Sequence, residues 1–188
     1  MMSVLRTVHG LALAAWLSLL VSAGIGASFV FGTLTPMPLH AERFDAAETS
    51  EHGRLVAGVI MDRVFRFVDI GQGIAAGIVL ITFIMLFAAG ALRLRRWSGR
   101  IHCGAVCLAT MLFALQLPMA NAMRGELQMY WSAVEAGEAA EAENIQTGFN
   151  TKHNVADAVL RINLLLLITA TGALIHTSAP RRESEHAS

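Results

Sequence analysis

Charged residues fall along this chain in blocks, and the gaps between the blocks are long. Four windows hold no Asp, Glu, Lys or Arg: residues 7–41, 70–92, 101–123 and 162–180. A helix that crosses the hydrocarbon core of a bilayer needs roughly 20 mostly apolar residues. Every window reaches that length or comes within a residue of it. The pattern predicts four membrane-spanning helices, at about 11–34, 70–92, 101–120 and 158–179. Pro36 and Pro38 close the first, and Pro180-Arg181-Arg182 closes the last. A signal peptide competes for the first span, because Arg6 precedes it. Its apolar run is longer than the roughly 7–15 residues of a signal-peptide core, which favours a retained helix.

The links between spans have their own patterns. From Arg54 to Asp69, Val56, Ile60, Val64, Phe67 and Val68 recur at helical spacing, with charges elsewhere on the wheel. This predicts an amphipathic helix over about 52–69, either continuous with the second span or bent into the interface. Asp62 and Arg66 are spaced to pair along it. Residues 126–146 read as a solvated helix or an acidic spacer loop, and 181–188 as a disordered tail. The reading is one all-α domain over 1–188, a four-helix transmembrane bundle.

Orientation follows from the arginines. The short link 93–100 contains Arg93, Arg95, Arg96 and Arg100 and no acid, whereas most carboxylates fall in links 42–69 and 124–157. Short basic links stay cytoplasmic. Both termini then lie inside, in a cell inner membrane, and the acidic links face out. Trp97 and Tyr130-Trp131 suit headgroup depth.

Composition narrows the function classes. Hydrophobic residues make up 55% of the chain and charged residues 15%, against about 25% charged in soluble domains. A soluble enzyme is excluded, and zero net charge argues against a nucleic-acid partner. Cys103 and Cys107 lie four apart on one helix face, which disfavours a disulfide between them. Expected partners are the lipid bilayer and either a second copy of the chain or another membrane protein. Small-residue rows would bring helices close: Ser18, Ser22 and Gly26; Gly73 and Gly77; Cys103 and Cys107; Thr169 and Ala173.

Three groups of residues carry candidate chemistry. The first is a polar cluster near the outer face: Asp69, Gln72, Gln116, Asn121, Asp157, Arg161 and Asn163. Ionisable groups at membrane depth usually face a bundle interior and mark function. Arg161 is expected to turn inward and pair with Asp157 or Asp69. The second is Cys103, Cys107 and Met111, a row of soft sulfur donors suited to Cu(I), with Met37, His40, Met119, Met123 and Met129 lining an approach to it. The third is His9, His102 and His176, on three helices near the inner border, where paired imidazoles could hold a haem or a metal. His153, after Phe149, reads as a helix cap or a contact to Arg161.

Several stretches resemble a known family. They are the glycine-rich first helix with Phe29 and Phe31, the run from Gly53 to Phe65, the stretch from Leu117 to Arg124, and Phe149, His153 and Asn163. Over roughly 9–176 the chain resembles bacterial four-pass membrane proteins related to the eukaryotic transmembrane protein 205 family. That likeness implies a topology more than a reaction. A wider likeness is to the copper-resistance D and HemJ-type membrane families, whose first helix often begins with a His, then a Trp seven residues on, then a Gly. His9 and Trp16 match, but Ser18 replaces the glycine. In that likeness His9 would be a haem-binding residue. The resulting expectation is a non-enzymatic transport, binding or structural membrane module, with haem or copper handling as the alternative.

Overall fold

A computed structural model describes residues 2–92 and 94–178. The described residues form four long α-helices: α1 (Met2–Leu34), α2 (Thr49–Ala88), α3 (Trp97–Glu135) and α4 (Ala139–Ser178). A 3-10 turn, Glu42–Phe44, sits in the α1–α2 connection. The four-helix bundle expected from the charge-free windows is present. Arg93, the Arg181-Arg182 pair and the 181–188 tail lie outside the described residues.

Tight connections make neighbouring helices antiparallel. α2 and α3 each end on a glycine with positive φ, Gly90 at 65° and Gly137 at 73°. Beyond each glycine the chain folds back onto the helix, with Ala91 N–H donating to Leu86 O at 2.9 Å and Glu138 N–H to Ala133 O at 2.9 Å. This is the usual way a glycine closes a helix while satisfying its last carbonyls. The second span therefore stops at Ala88 rather than at residue 92. The α1–α2 and α3–α4 hairpins make the most extensive contacts. α1 packs on α4, and α2 meets α3 more sparingly. One end of the bundle carries Arg6, the 94–100 turn and the end of α4, and is called the basic end here. Arg6 donates to Ala91 O at 3.2 Å there. The opposite end carries the acidic links.

The core runs along the bundle axis and draws on all four helices: Leu13, Trp16 and Leu20 on α1; Ala75, Ala76, Val79 and Phe83 on α2; Ala105, Val106, Ala109 and Phe113 on α3; Leu167 and Ala170 on α4. The outward face is apolar too. Leu11, Ile25, Phe29, Ile74, Ile81, Ile84, Leu115, Leu165, Ile168 and Ile175 are exposed. Only 17–33% of the most apolar stretch of each helix is buried within the bundle. Water would strongly disfavour such a surface, whereas lipid tails suit it. The four helices are long and apolar enough to cross a membrane.

Packing makes little use of the small-residue rows, of which Cys103 packs against the core and Gly73 lies beside Phe113. Ser18 and Ser22 are exposed, as are Cys107 and Thr169, and Gly73 lies at the edge of the contact. Trp16, Leu13 and the alanines fill the axis instead. Close approach occurs at two other glycines. A β-carbon on Gly71 would press on Leu19 Cδ1 at 3.0 Å, and one on Gly53 would collide with the Leu34 carbonyl oxygen.

The acidic links are helical rather than loops. α2 and α4 have 40 residues each and α3 has 39, about 60 Å at 1.5 Å per residue, roughly twice the hydrocarbon thickness. Their outer halves form a crown with a small core of its own: Phe44, Leu55 and Trp131. The Arg43 guanidinium lies 5.3 Å from the Phe44 ring and 5.7 Å from the Trp131 ring, and bonds Glu135 at 2.5 Å. Trp131 is thus an anchor of the crown rather than a headgroup residue. The predicted amphipathic helix is the continuous first half of α2. Its buried face is Leu55, Met61 and Val68, while Ile60, Val64 and Phe67 point out. The Asp62–Arg66 pair forms, at 3.1 Å. His52, fully buried, fixes the connection ahead of it: its Nδ1 accepts from Ala41 N–H at 3.0 Å and its Nε2 faces Ala47 O at 3.3 Å.

Candidate functional site: a polar axis inside the bundle

The innermost polar layer joins two histidines that lie 93 positions apart in the chain. His9 of α1 and His102 of α3 are both buried, 0% and 1% exposed. Their Nε2 atoms are 3.1 Å apart, with the rings edge to face. His9 Nδ1 lies 2.8 Å from the Thr82 hydroxyl of α2. His102 Nδ1 lies 2.9 Å from the Ala170 carbonyl of α4. One hydrogen-bonded chain therefore links all four helices. Thr82 and Ala170 lie about 9–12 Å from the basic-end termini of their helices at 1.5 Å per residue. Buried imidazoles at this depth must be fully paired to be tolerated.

Towards the crown comes a second layer. Trp16 Nε1–H donates to Gln72 Oε1 at 3.2 Å, and the Trp16 ring meets Phe113 edge to face at 5.6 Å. Asn163 is 0% exposed, and neither its Oδ1 nor its Nδ2 has a hydrogen-bond partner. Antiparallel pairing of His102 with Ala170 and of Glu126 with Lys152 sets Asn163 level with the Phe113 region of α3. About one turn further out, Gln116 is buried with its Oε1 unpaired. Nearly all buried polar groups in proteins are satisfied, and each exception needs a cause such as an ordered water or a ligand.

The outermost layer is an ion pair across helices. Asp69 of α2 meets Arg124 of α3, and Arg124 also bonds Asn121 Oδ1 at 2.9 Å. Both charged side chains are largely covered, 24% exposed for Arg124 and 19% for Asp69. Lys152 pairs with Glu126 beyond it.

The expected pair of Arg161 with Asp157 forms, but the expected inward turn does not. The Arg161 side chain is 77% exposed and pairs along its own helix with Asp157 at 2.7 Å. It does not enter the bundle, and Asp69 is taken by Arg124. A long guanidinium reaches outward from a helix face more cheaply than it buries. Of the predicted cluster, Gln72, Gln116 and Asn163 line the axis, Asp69 closes it, and Asn121, Asp157 and Arg161 lie on the surface. Arg124, Thr82 and Trp16 complete the axis and were not among the candidates. Arg124 had one signal, its position one helical turn from Asn121.

The sulfur row is not an internal site. Cys103 is half-buried, Cys107 is exposed and Met111 is 52% exposed, so the row turns towards lipid. No group of three or more His, Cys, Asp or Glu that could hold a metal occurs among the described residues. Met37, Met129 and His40 are exposed at the crown, with His40 stacked on His52 at 5.7 Å between ring centroids. His176 is exposed and apart from the other two. His9 and His102 touch each other directly, so as arranged they leave no space for a porphyrin between their rings and do not fit a bis-histidine haem. His153 is neither a cap nor an Arg161 contact: it lies mid-helix, stacked on Phe149 at 5.7 Å. In comparisons with family models, curated proteins and solved structures, nothing matches this chain.

Proposed function

We propose that this chain is a non-enzymatic, four-pass membrane module that binds or passes a small polar ligand along the axis of its bundle. The observation that carries this reading is the Asn163 amide, fully buried inside the bundle with both polar atoms unpaired. An unpaired buried amide costs about 1–3 kcal/mol, and an apolar residue there would avoid the cost. A site that admits water or a hydrogen-bonding ligand accounts for it. Gln116 and Gln72 extend the same polar lining, and the Asp69–Arg124 pair closes the axis at its crown end. In this reading the basic end and both termini are cytoplasmic, by the arginine bias of link 94–100. The four-pass topology is also what the likeness to the transmembrane protein 205 relatives implies.

Accessibility tests the reading. Asn163→Cys and Gln116→Cys are made singly in a background lacking Cys103 and Cys107, and intact membranes are treated with a small, water-soluble thiol reagent. Modification of both positions, with Leu167→Cys protected, is the expected result. Protection of Asn163→Cys and Gln116→Cys to the level of Leu167→Cys would make the axis dry and the module purely structural.

A further inference from the structure

The histidine layer has a property that its distances dictate. A carbonyl oxygen only accepts, so the 2.9 Å contact of His102 Nδ1 with Ala170 O requires a proton on Nδ1. When His102 is neutral, its Nε2 is therefore bare. The 3.1 Å Nε2–Nε2 contact then requires His9 to donate through its own Nε2. His9 Nδ1 is bare in turn, and the Thr82 hydroxyl at 2.8 Å must donate to it. The same hydroxyl oxygen also lies 2.7 Å from Ile78 O and 3.1 Å from Val79 O. It thus has a second, equally good direction in which to donate. If Thr82 O–H turns to Ile78 O, its oxygen can accept from a protonated His9 Nδ1. The proton between the two Nε2 atoms stays where it was. All members of the chain remain paired in both states, and the states differ by one proton.

We propose that His9 and His102 form a single-proton binding site, and that rotation of the Thr82 hydroxyl lets the pair take up and release that proton as a unit. The proton enters as H+ from water at the basic end, and uptake adds one positive charge without breaking any covalent bond. This proposal does not rest on the ligand path through Asn163. Among the described residues, the groups facing the site from each element contain no carboxylate. On α1 the nearest charge is Arg6, held at Ala91 O; on α2 the face is Thr82 and Phe83; on α3 there are Arg100, bonded to Leu94 O at 2.9 Å, and half-buried Cys103; on α4 the nearest titratable group is exposed His176. A second proton would place two cations in contact with no counter-charge among the described residues, which limits the site to one.

The test is nitrogen NMR of the full chain, labelled with 15N-histidine, in detergent. At the alkaline end of a pH series, His102 is expected as the Nδ1–H tautomer and His9 as the Nε2–H tautomer. On acidification the two rings should shift with one common midpoint and take up one proton between them. His40, His153 and His176 are exposed and lie apart from the pair, so their signals serve as internal references. Thr82→Val should lower the common midpoint by roughly 0.5–1 pH unit, because a hydrogen bond from a cation is worth more than a neutral one. Thr82→Ser should titrate like the parent. Two separate midpoints, an Nε2–H tautomer at His102, or an unmoved midpoint in a folded Thr82→Val variant would each overturn the proposal. If Thr82→Val does not fold, the parent titration alone decides.

Discussion

At the scale of single residues, the two arginines near the crown show how position decides cost. Arg124 and Asp69 cover each other across α2 and α3 and are mostly shielded. Arg124→Leu leaves a carboxylate unpaired in a shielded place, a loss of about 1–3 kcal/mol. Asp69→Asn combined with it should recover part of that loss. Arg161 is 77% exposed and makes a pair along one helix, so Arg161→Leu should change stability by no more than about 0.5 kcal/mol. Thermal melting in detergent separates them: a clear drop for Arg124→Leu, a partial rescue in the double variant, and almost none for Arg161→Leu. Equal drops for both arginines would contradict the pairing described here. Charge spacing alone did not reveal the difference, because Arg161 and Arg124 both follow acids or amides by a helical step. Only the rotation of each helix about its axis decides which one faces the bundle.

At the scale of elements, each charge-free window falls on one of the four long helices, because hydropathy responds directly to bilayer thickness. What they left open is whether the acidic stretch 126–146 is a solvated helix or a spacer loop. Residues 121–135 and 139–157 form one helical hairpin closed by Gly137. The signal for their order lies in contacts between distant residues: Trp131 under Arg43, and Lys152 on Glu126. Neither contact has a local pattern. Trp131→Ala should remove about 3–5 kcal/mol of packing from the crown. Hydrogen exchange is then expected to rise in 41–57 and 127–137 and to stay unchanged in 102–116. Exchange that rises equally throughout would mean that crown and bundle form one cooperative unit. Gly53→Ala acts at the α1–α2 connection, where a β-carbon meets the Leu34 backbone. A melting temperature below the parent's is expected, by about 1–3 kcal/mol of stability.

Across the whole molecule, a lipid-facing apolar belt encloses a narrow polar axis. The belt was legible from composition. The axis was legible in part: Gln72, Gln116 and Asn163 stood out as polar residues within apolar windows, and His9 and His102 as histidines at the same border. That His9 would touch His102 and not His176 depends on helix rotation, which a sequence with small residues on several faces of each span does not specify. The candidate small-residue faces misled for the same reason, since the bulky Trp16 and Leu13 on α1 claimed the interior. Whether the histidine layer lies near the inner or the outer face depends on which side the basic end occupies.

Cysteine labelling of intact cells tests that arrangement most directly. Single cysteines replace Ser98, in the basic turn at the start of α3, and Ser132, in the crown, in a background without Cys103 and Cys107. A membrane-impermeant maleimide applied from outside is predicted to label Ser132→Cys and to spare Ser98→Cys until the cells are opened. Labelling of Ser98→Cys with Ser132→Cys protected would reverse the topology and place the histidine layer at the outer face. Free labelling of both from outside would contradict the four-pass membrane bundle itself.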